Sequence, residues 1–254
     1  MTILESLQAG SKQGKKSIAV LIDPDKIDNV SKLDPLLRLA SENCVDYIFT
    51  GGSLVTTSNL SEVVNYIKEN VTIPVVLFPG SVMQIDSSAD AILFLSLISG
   101  RNPDLLIGQH VIAAPILKNT QLEILPTGYM LINSGKTTSV AYISNTTPIP
   151  EDKYSLAACT ALAGEMLGLK LIYLDAGSGA EREVNAKMIA TVRKSIDVPL
   201  IVGGGINTAQ KAVRVLEAGA DLIVIGNALE KSPDLLIEIS DSVYEWNRGI
   251  SSRP

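Results

Sequence analysis

The chain has 254 residues, close to the about 250 of a βα barrel and long enough for one large hydrophobic core. Its net charge of −6 argues against nucleic acid as a partner, because such binding rests on Lys and Arg neutralising phosphates. Hydrophobic residues make up 46% and aromatics 4%, so the core must be assembled from Val, Ile, Leu and Ala, as in buried parallel strands.

Met1 to Lys16 carries Leu4 and Leu7 among polar residues and lacks the apolar centre of a secretory signal. No apolar run reaches the ~18 residues of a membrane span. The expected location is therefore cytoplasmic, which leaves transient membrane contact open to a chain that handles lipid. Cys44 and Cys159 form no CxxC pair and read as two reduced core thiols.

In chain order, apolar β-rich runs lie at Ser17–Asp23, Asp46–Thr50, Pro74–Phe78, Asp90–Ser96, Gly128–Asn133, Lys170–Asp175, Pro199–Val202 and Asp221–Ile225. Helical patterns separate them at Ser31–Asn43, Leu60–Asn70, Pro103–Lys118, Tyr154–Leu167, Ala186–Ser195, Thr208–Ala218 and Asp234–Trp246. Strands alternating with helices define an α/β chain with a parallel sheet. Eight of them predict a TIM-type (βα)8 barrel forming a single domain over residues 1–254; a doubly wound open sheet is the alternative. The segment Asn133–Pro150 is irregular, rich in Ser, Thr, Gly and Pro, and occupies the place of a short loop after strand five. Segments of this length are functional or disordered, and the Val140–Ile143 run predicts that this one packs on something.

Catalytic residues of such barrels sit at the C-terminal ends of the strands. Two of those ends, Val202-Gly203-Gly204-Gly205-Ile206 and Ile225-Gly226-Asn227-Ala228, are glycine turns one βα unit apart. Either alone reads as an ordinary strand-to-helix turn. Together they predict a phosphate clamp made of backbone N–H groups. Asp23 ends the first run; it is either a turn cap or, with the Ser53 hydroxyl, an oxygen pair for Mg²⁺, whose octahedron substrate phosphates and water complete. Asp25 reads as a turn residue and Lys26 as a solvated one.

Asp175 ends the sixth run and is the best general-base candidate, because a partly desolvated carboxylate can accept a hydroxyl proton. The alternative is that it only caps the following turn. Tyr173 shares its side of the strand, either as a hydrogen-bonding group for substrate or as a barrel-filling aromatic. His110 is the one histidine, which excludes His-based triads and multi-histidine metal sites, and it reads as structural. Trp246 reads as a packing anchor.

Asp23-Pro24-Asp25-Lys26, Gly51-Gly52-Ser53, Pro126-Thr127-Gly128-Tyr129, Ser144–Pro150, the Tyr173–Ala180 run YLDAGSGA and the two glycine turns together resemble the geranylgeranylglyceryl phosphate synthases, in their larger-subunit group. The YLDAGSGA run with the NTTPIP segment is the specific part, and the likeness spans nearly the whole chain in order. The resemblance implies a modified TIM barrel and an Mg²⁺-dependent prenyltransferase. Its members join the prenyl group of geranylgeranyl diphosphate to the 3-hydroxyl of sn-glycerol 1-phosphate. It further implies metal at Asp23 and Ser53, and glycerol phosphate on Tyr173, Leu174, Asp175, Ala176, Gly177, Ser178 and Gly179 and on the backbone of Gly204, Gly205, Gly226 and Asn227. A homo-oligomer, dimer or hexamer, is implied too. The family commonly has Glu at the position of Asp175. The bacterial heptaprenyl branch has Lys where this chain has Leu21.

An apolar groove for the prenyl chain is expected across the barrel top near Leu54, Val55, Phe78, Phe94 and Leu105-Leu106-Ile107. Two rival readings remain open. A phosphosugar isomerase or aldolase barrel would use the same clamp but needs a strand-end Lys or acid/base pair, and Lys26 and Lys136 lie in loops. A non-catalytic phosphate-binding barrel would bind without turnover.

Overall fold

The computed structural model describes residues 1–251. Strands β1 (Ser17–Ile22), β2 (Tyr47–Thr50), β3 (Val75–Leu77), β4 (Ala91–Leu97), β5 (Glu123–Leu131), β6 (Leu171–Asp175), β7 (Leu200–Gly203) and β8 (Leu222–Ile225) pair in parallel, each with the next. The pairing of Ser17 with Leu222 and of Val20 with Ile225 closes the barrel. Both faces of most strands are buried, which is why they read as continuous Val, Ile and Leu runs rather than alternating ones. Alternation is nonetheless present in space: Leu171 and Tyr173 pack inside the barrel, while Ile172 and Leu174 pack against the helices.

The helices are α1 (Ile3–Gln13), α2 (Asp34–Glu42), α3 (Leu60–Asn70), α4 (Gln109–Leu117), α5 (Ser139–Ser144), α6 (Tyr154–Met166), α7 (Ala186–Arg193), α8 (Ala209–Glu217), α9 (Asn227–Lys231) and α10 (Leu235–Ser251). Among the described residues none is long and apolar enough to cross a membrane. Helix α1 closes the floor of the barrel. A capping box between Thr2 and Glu5 starts it, and its Ile3 and Leu4 N–H groups donate to the Glu123 carboxylate at the foot of β5, at 2.7 and 2.8 Å. Leu7 then reaches the inner core.

Several expected boundaries move. Strand five begins at Glu123 rather than Gly128, because Pro126 interrupts the sequence signal without breaking the strand: its carbonyl accepts the Lys170 N–H at 2.8 Å. The expected helix Ser31–Asn43 is a 3-10 turn, Val30–Leu33, followed by α2. The expected Pro103–Lys118 helix is a π-helical turn, Asp104–Gly108, running into α4. Between β3 and β4 a 3-10 turn, Val82–Gln84, stands in place of a helix.

The cysteines are not core thiols. Cys44 is exposed in the turn after α2, where its φ is +52°, and Cys159 lies on the exposed face of α6, a helix so uniformly apolar that its sequence gives no sign of which side faces water. Trp246 does anchor α10: its ring sits 5.5 Å from the buried Lys16 ammonium and its Nε1–H donates to the Gly14 carbonyl.

Candidate active site

The C-terminal ends of the strands surround a cavity of about 1100 Å³. Asp23 and Ser53 line it from β1 and β2, Tyr173, Asp175, Gly177, Ser178 and Gly179 from β6, and Gly204, Gly205, Gly226 and Asn227 from β7 and β8. Leu174 and Ala176, which the resemblance placed on substrate, are not part of this lining. Alternation along the strand turns both outward, into the layer between sheet and helices.

Asp175 is buried at the top of β6. Its Oδ1 accepts the Gly177 N–H at 2.7 Å, so it does cap the following turn, and its Oδ2 accepts the Tyr129 hydroxyl at 2.5 Å. Burial pushes its carboxyl above the usual range, while the Tyr129 and Gly177 hydrogen bonds pull it back down. Tyr173 is 1% exposed and fills the barrel top, its ring stacked on Phe78 at 5.3 Å and edge-on to Tyr129 at 5.4 Å. Both tyrosines are held far above their ordinary titration range, first by burial and then by the neighbouring Asp175 charge.

The glycine turns are shaped by these neighbours. A Cβ on Gly203 would lie 2.4 Å from the Tyr173 hydroxyl oxygen. Gly204 has φ +80°, and a Cβ there would lie 2.8 Å from Asp175 Oδ1 and from the Gly177 nitrogen. Only glycine lets β7 and the loop after β6 approach so closely. The Asn227 side-chain amide donates to Ser178 Oγ at 3.2 Å, tying the sixth loop to the eighth.

The first loop joins the same belt. Lys26 is exposed, as expected, but it is not free: its Nζ donates to Asn227 Oδ1 at 2.9 Å and to Glu230 at 2.8 Å, and lies 3.9 Å from Asp23 Oδ2. Asp25 accepts from the N–H and hydroxyl of both Thr56 and Thr57; desolvation, the largest single influence, pushes its carboxyl upward, but these bonds together outweigh it and hold the carboxyl down to about 2. It thereby fixes the segment that carries Ser53.

Asp23 Oδ1 accepts the Asp25 N–H at 3.2 Å, so the capping role is present, yet Asp23 also faces the cavity. Gly52 leaves it room, since a Cβ there would lie 3.3 Å from Oδ1. No group of three or more acidic, His or Cys ligands exists among the described residues. A carboxylate and a hydroxyl lining one cavity are the oxygen groups that suit Mg²⁺, which needs one or two protein ligands where phosphates supply the rest.

An apolar arm leaves the cavity between β4 and α4. Leu54, Phe78, Phe94 and Leu105 line the cavity as expected, but Val55, Leu106 and Ile107 do not, and Ile107 is 61% exposed. The π-helical turn resets the face that points inward, so Leu105, Gln109, Ala113 and Leu117 follow one another along the arm. His110 also lines it, edge-on to Phe94 at 4.5 Å, and burial lowers its imidazole's affinity for a proton, partly offset by its bond to the Leu95 backbone. The irregular segment lies over the loops after β4 and β6: Asn102 donates to the Ser144 carbonyl, Thr138 packs on Gly177, and Val140 and Ala141 turn inward, whereas Tyr142 remains 80% exposed.

Tyr129 is the site residue that local sequence reading did not single out. With strand five read from Gly128, it stood second in a run whose register to β6 was undefined. The pairing Tyr129↔Tyr173 is what brings its hydroxyl to Asp175.

The description "PcrB family" fits residues 13–243 of the chain. A geranylgeranylglyceryl phosphate synthase of Spirosoma linguale is 56% identical over 98% of this chain and 99% of its own length. One from Pyrococcus furiosus is 43% identical over 91% of each. The crystal structure of (S)-3-O-geranylgeranylglyceryl phosphate synthase from Thermoplasma acidophilum, in complex with sn-glycerol-1-phosphate, superposes with a TM-score of 0.90 at 33% identity, covering 96% of this chain and 99% of that one. The chain belongs to the PcrB family.

Proposed function

We propose that this chain is a geranylgeranylglyceryl phosphate synthase, a prenyltransferase that forms an ether between the prenyl group of geranylgeranyl diphosphate and the 3-hydroxyl of sn-glycerol 1-phosphate, releasing diphosphate. The observation that carries the reading is one cavity with two chemically different ends. A glycine-built anion clamp beside a buried carboxylate occupies one side, and an apolar arm the other. The named relatives and the glycerol-phosphate complex of the Thermoplasma acidophilum enzyme support the same assignment.

In this reading the backbone around Gly204, Gly205, Gly226 and Asn227 holds the monophosphate, and Ser178 steadies Asn227. Anchoring the remote phosphate presents the free hydroxyl to Asp175, an orientation gain of several kcal/mol that reaches about 7–11 kcal/mol in ideal intramolecular reactions. Asp175 takes the hydroxyl proton as the oxygen attacks C1 of the allylic chain, and the C1–O bond to diphosphate breaks. The apolar arm along α4 excludes water from the chain and aligns C1 with the acceptor. Mg²⁺ held by Asp23 and Ser53 would supply Lewis-acid stabilisation of the leaving diphosphate's charge, which an acidic protein cannot draw from a basic patch. The test is direct: labelled sn-glycerol 1-phosphate, geranylgeranyl diphosphate and Mg²⁺ are incubated with the protein. Ether product is expected; glycerol phosphate binding without ether would leave the non-catalytic barrel as the better reading.

A further inference from the structure

Tyr129 commits a buried hydroxyl where a phenylalanine would have packed equally well. Its ring lies edge-on to both Phe78, at 5.8 Å, and Tyr173, at 5.4 Å, contacts that need no oxygen. Tyr129 pairs with Tyr173 in the sheet, so Asp175 stands two residues higher on the neighbouring strand, on the same inward face. The length of a phenol spans that step, and the hydroxyl meets Asp175 Oδ2 at 2.5 Å. On the other side, the Gly177 N–H takes Oδ1 at 2.7 Å. Two donors, one from β5 and one from the loop after β6, therefore grip the carboxylate from opposite ends.

We infer that Tyr129 is a positioning residue for the proposed base: it fixes the Asp175 carboxylate in one rotamer and leaves its second lone pairs open to the acceptor hydroxyl. The inference rests on the prenyltransferase reading above. An aspartate held by only the Gly177 bond could still turn about its side-chain torsions; with both ends bonded it cannot do so without losing a buried hydrogen bond. The titratable groups facing Asp175 are Tyr129 from β5 and Tyr173 from its own strand, while β7 faces it with Gly203 and Gly204. Among the described residues no cation shifts its charge balance, so the donated hydrogen bonds oppose the desolvation. Because burial keeps both phenols neutral, Tyr129 acts as a donor and not as the base itself.

The test is Tyr129→Phe in the full chain, with the pH profile of ether formation, KM for glycerol phosphate, and thermal melting measured alongside. The phosphate clamp is untouched, so KM should stay within ~2-fold, while kcat falls ~10-fold or more, a share of the 10²–10⁴ that a positioned base supplies. The acid limb of kcat/KM should move to higher pH, since one hydrogen bond favouring the anion is gone. Asp175→Asn in the Tyr129→Phe background should add less than the product of the separate losses, because both act through one group. A folded Tyr129→Phe protein with unchanged kcat and an unmoved acid limb, or with losses that multiply, overturns the inference. If the unaltered protein forms no ether at all, it is the prenyltransferase reading that fails.

Discussion

Lys26 Nζ lies 2.9 Å from Asn227 Oδ1, which joins the loop after β1 to the loop after β8 at the seam where the barrel closes. The same ammonium reaches Glu230 and stands beside Asp23, so it sits between the proposed metal carboxylate and the phosphate clamp. Lys26→Met should therefore weaken glycerol phosphate binding about 10-fold, the size of one hydrogen bond to a charged group. Calorimetric titration of the variant decides this, and unchanged affinity would show that the bridge is only surface decoration.

Asp175→Asn should slow ether formation by about 10²–10⁴-fold while leaving glycerol phosphate affinity nearly intact, since an amide oxygen can still accept the Gly177 N–H. The pH dependence has a definite sign. The base must be ionised, and burial raises its carboxyl despite the Tyr129 and Gly177 bonds, so turnover is full above that raised value and is lost as pH falls through it. Activity should decline on acidification sooner than an ordinary carboxylate would dictate. Rate measurements from neutral to mildly acid pH, with folding followed in parallel, check the direction.

Ala113 lines the apolar arm at a point where α4 faces β4. Ala113→Phe should shift the preferred donor from the twenty-carbon diphosphate to shorter ones, with glycerol phosphate binding retained. Product analysis with a donor series reads this out; an unaltered chain-length profile would remove the arm from the prenyl path.

Glu123→Ala should cost about 2 kcal/mol of stability, because two N–H groups at the start of α1 lose their carboxylate acceptor in a partly buried place. Denaturant unfolding measures the loss. The active site lies at the opposite end of the barrel, so the specific activity of the folded protein should be unaffected.

The strands were legible because parallel sheets are buried on both sides, which turns each into an apolar run, and α3 was read to the residue at Leu60–Asn70. The strand-end rule then gathered Asp23, Ser53, Asp175 and the glycine turns into what proves to be one cavity. What escaped reading depends on contacts between distant parts of the chain. Lys26 looks like a loop lysine until β8 is placed beside β1, and Tyr129 gains its role from register with β6. Leu174 and Ala176 were assigned as part of a run, whereas strand geometry divides that run between two faces. The exposure of Cys159 was hidden for a similar reason: α6 is apolar all round, and composition does not say which side meets water.

The contact of Tyr173 with Gly203 ties two positions on neighbouring strands into a single hereditary unit. The phenol oxygen fills the very space that any side chain on Gly203 would enter. A lineage that exchanges Gly203 for alanine must first shorten the residue at 173, and one that keeps the tyrosine can accept no mutation at 203. Divergence at this end of the barrel should proceed by paired replacement, with single changes lost before they can spread.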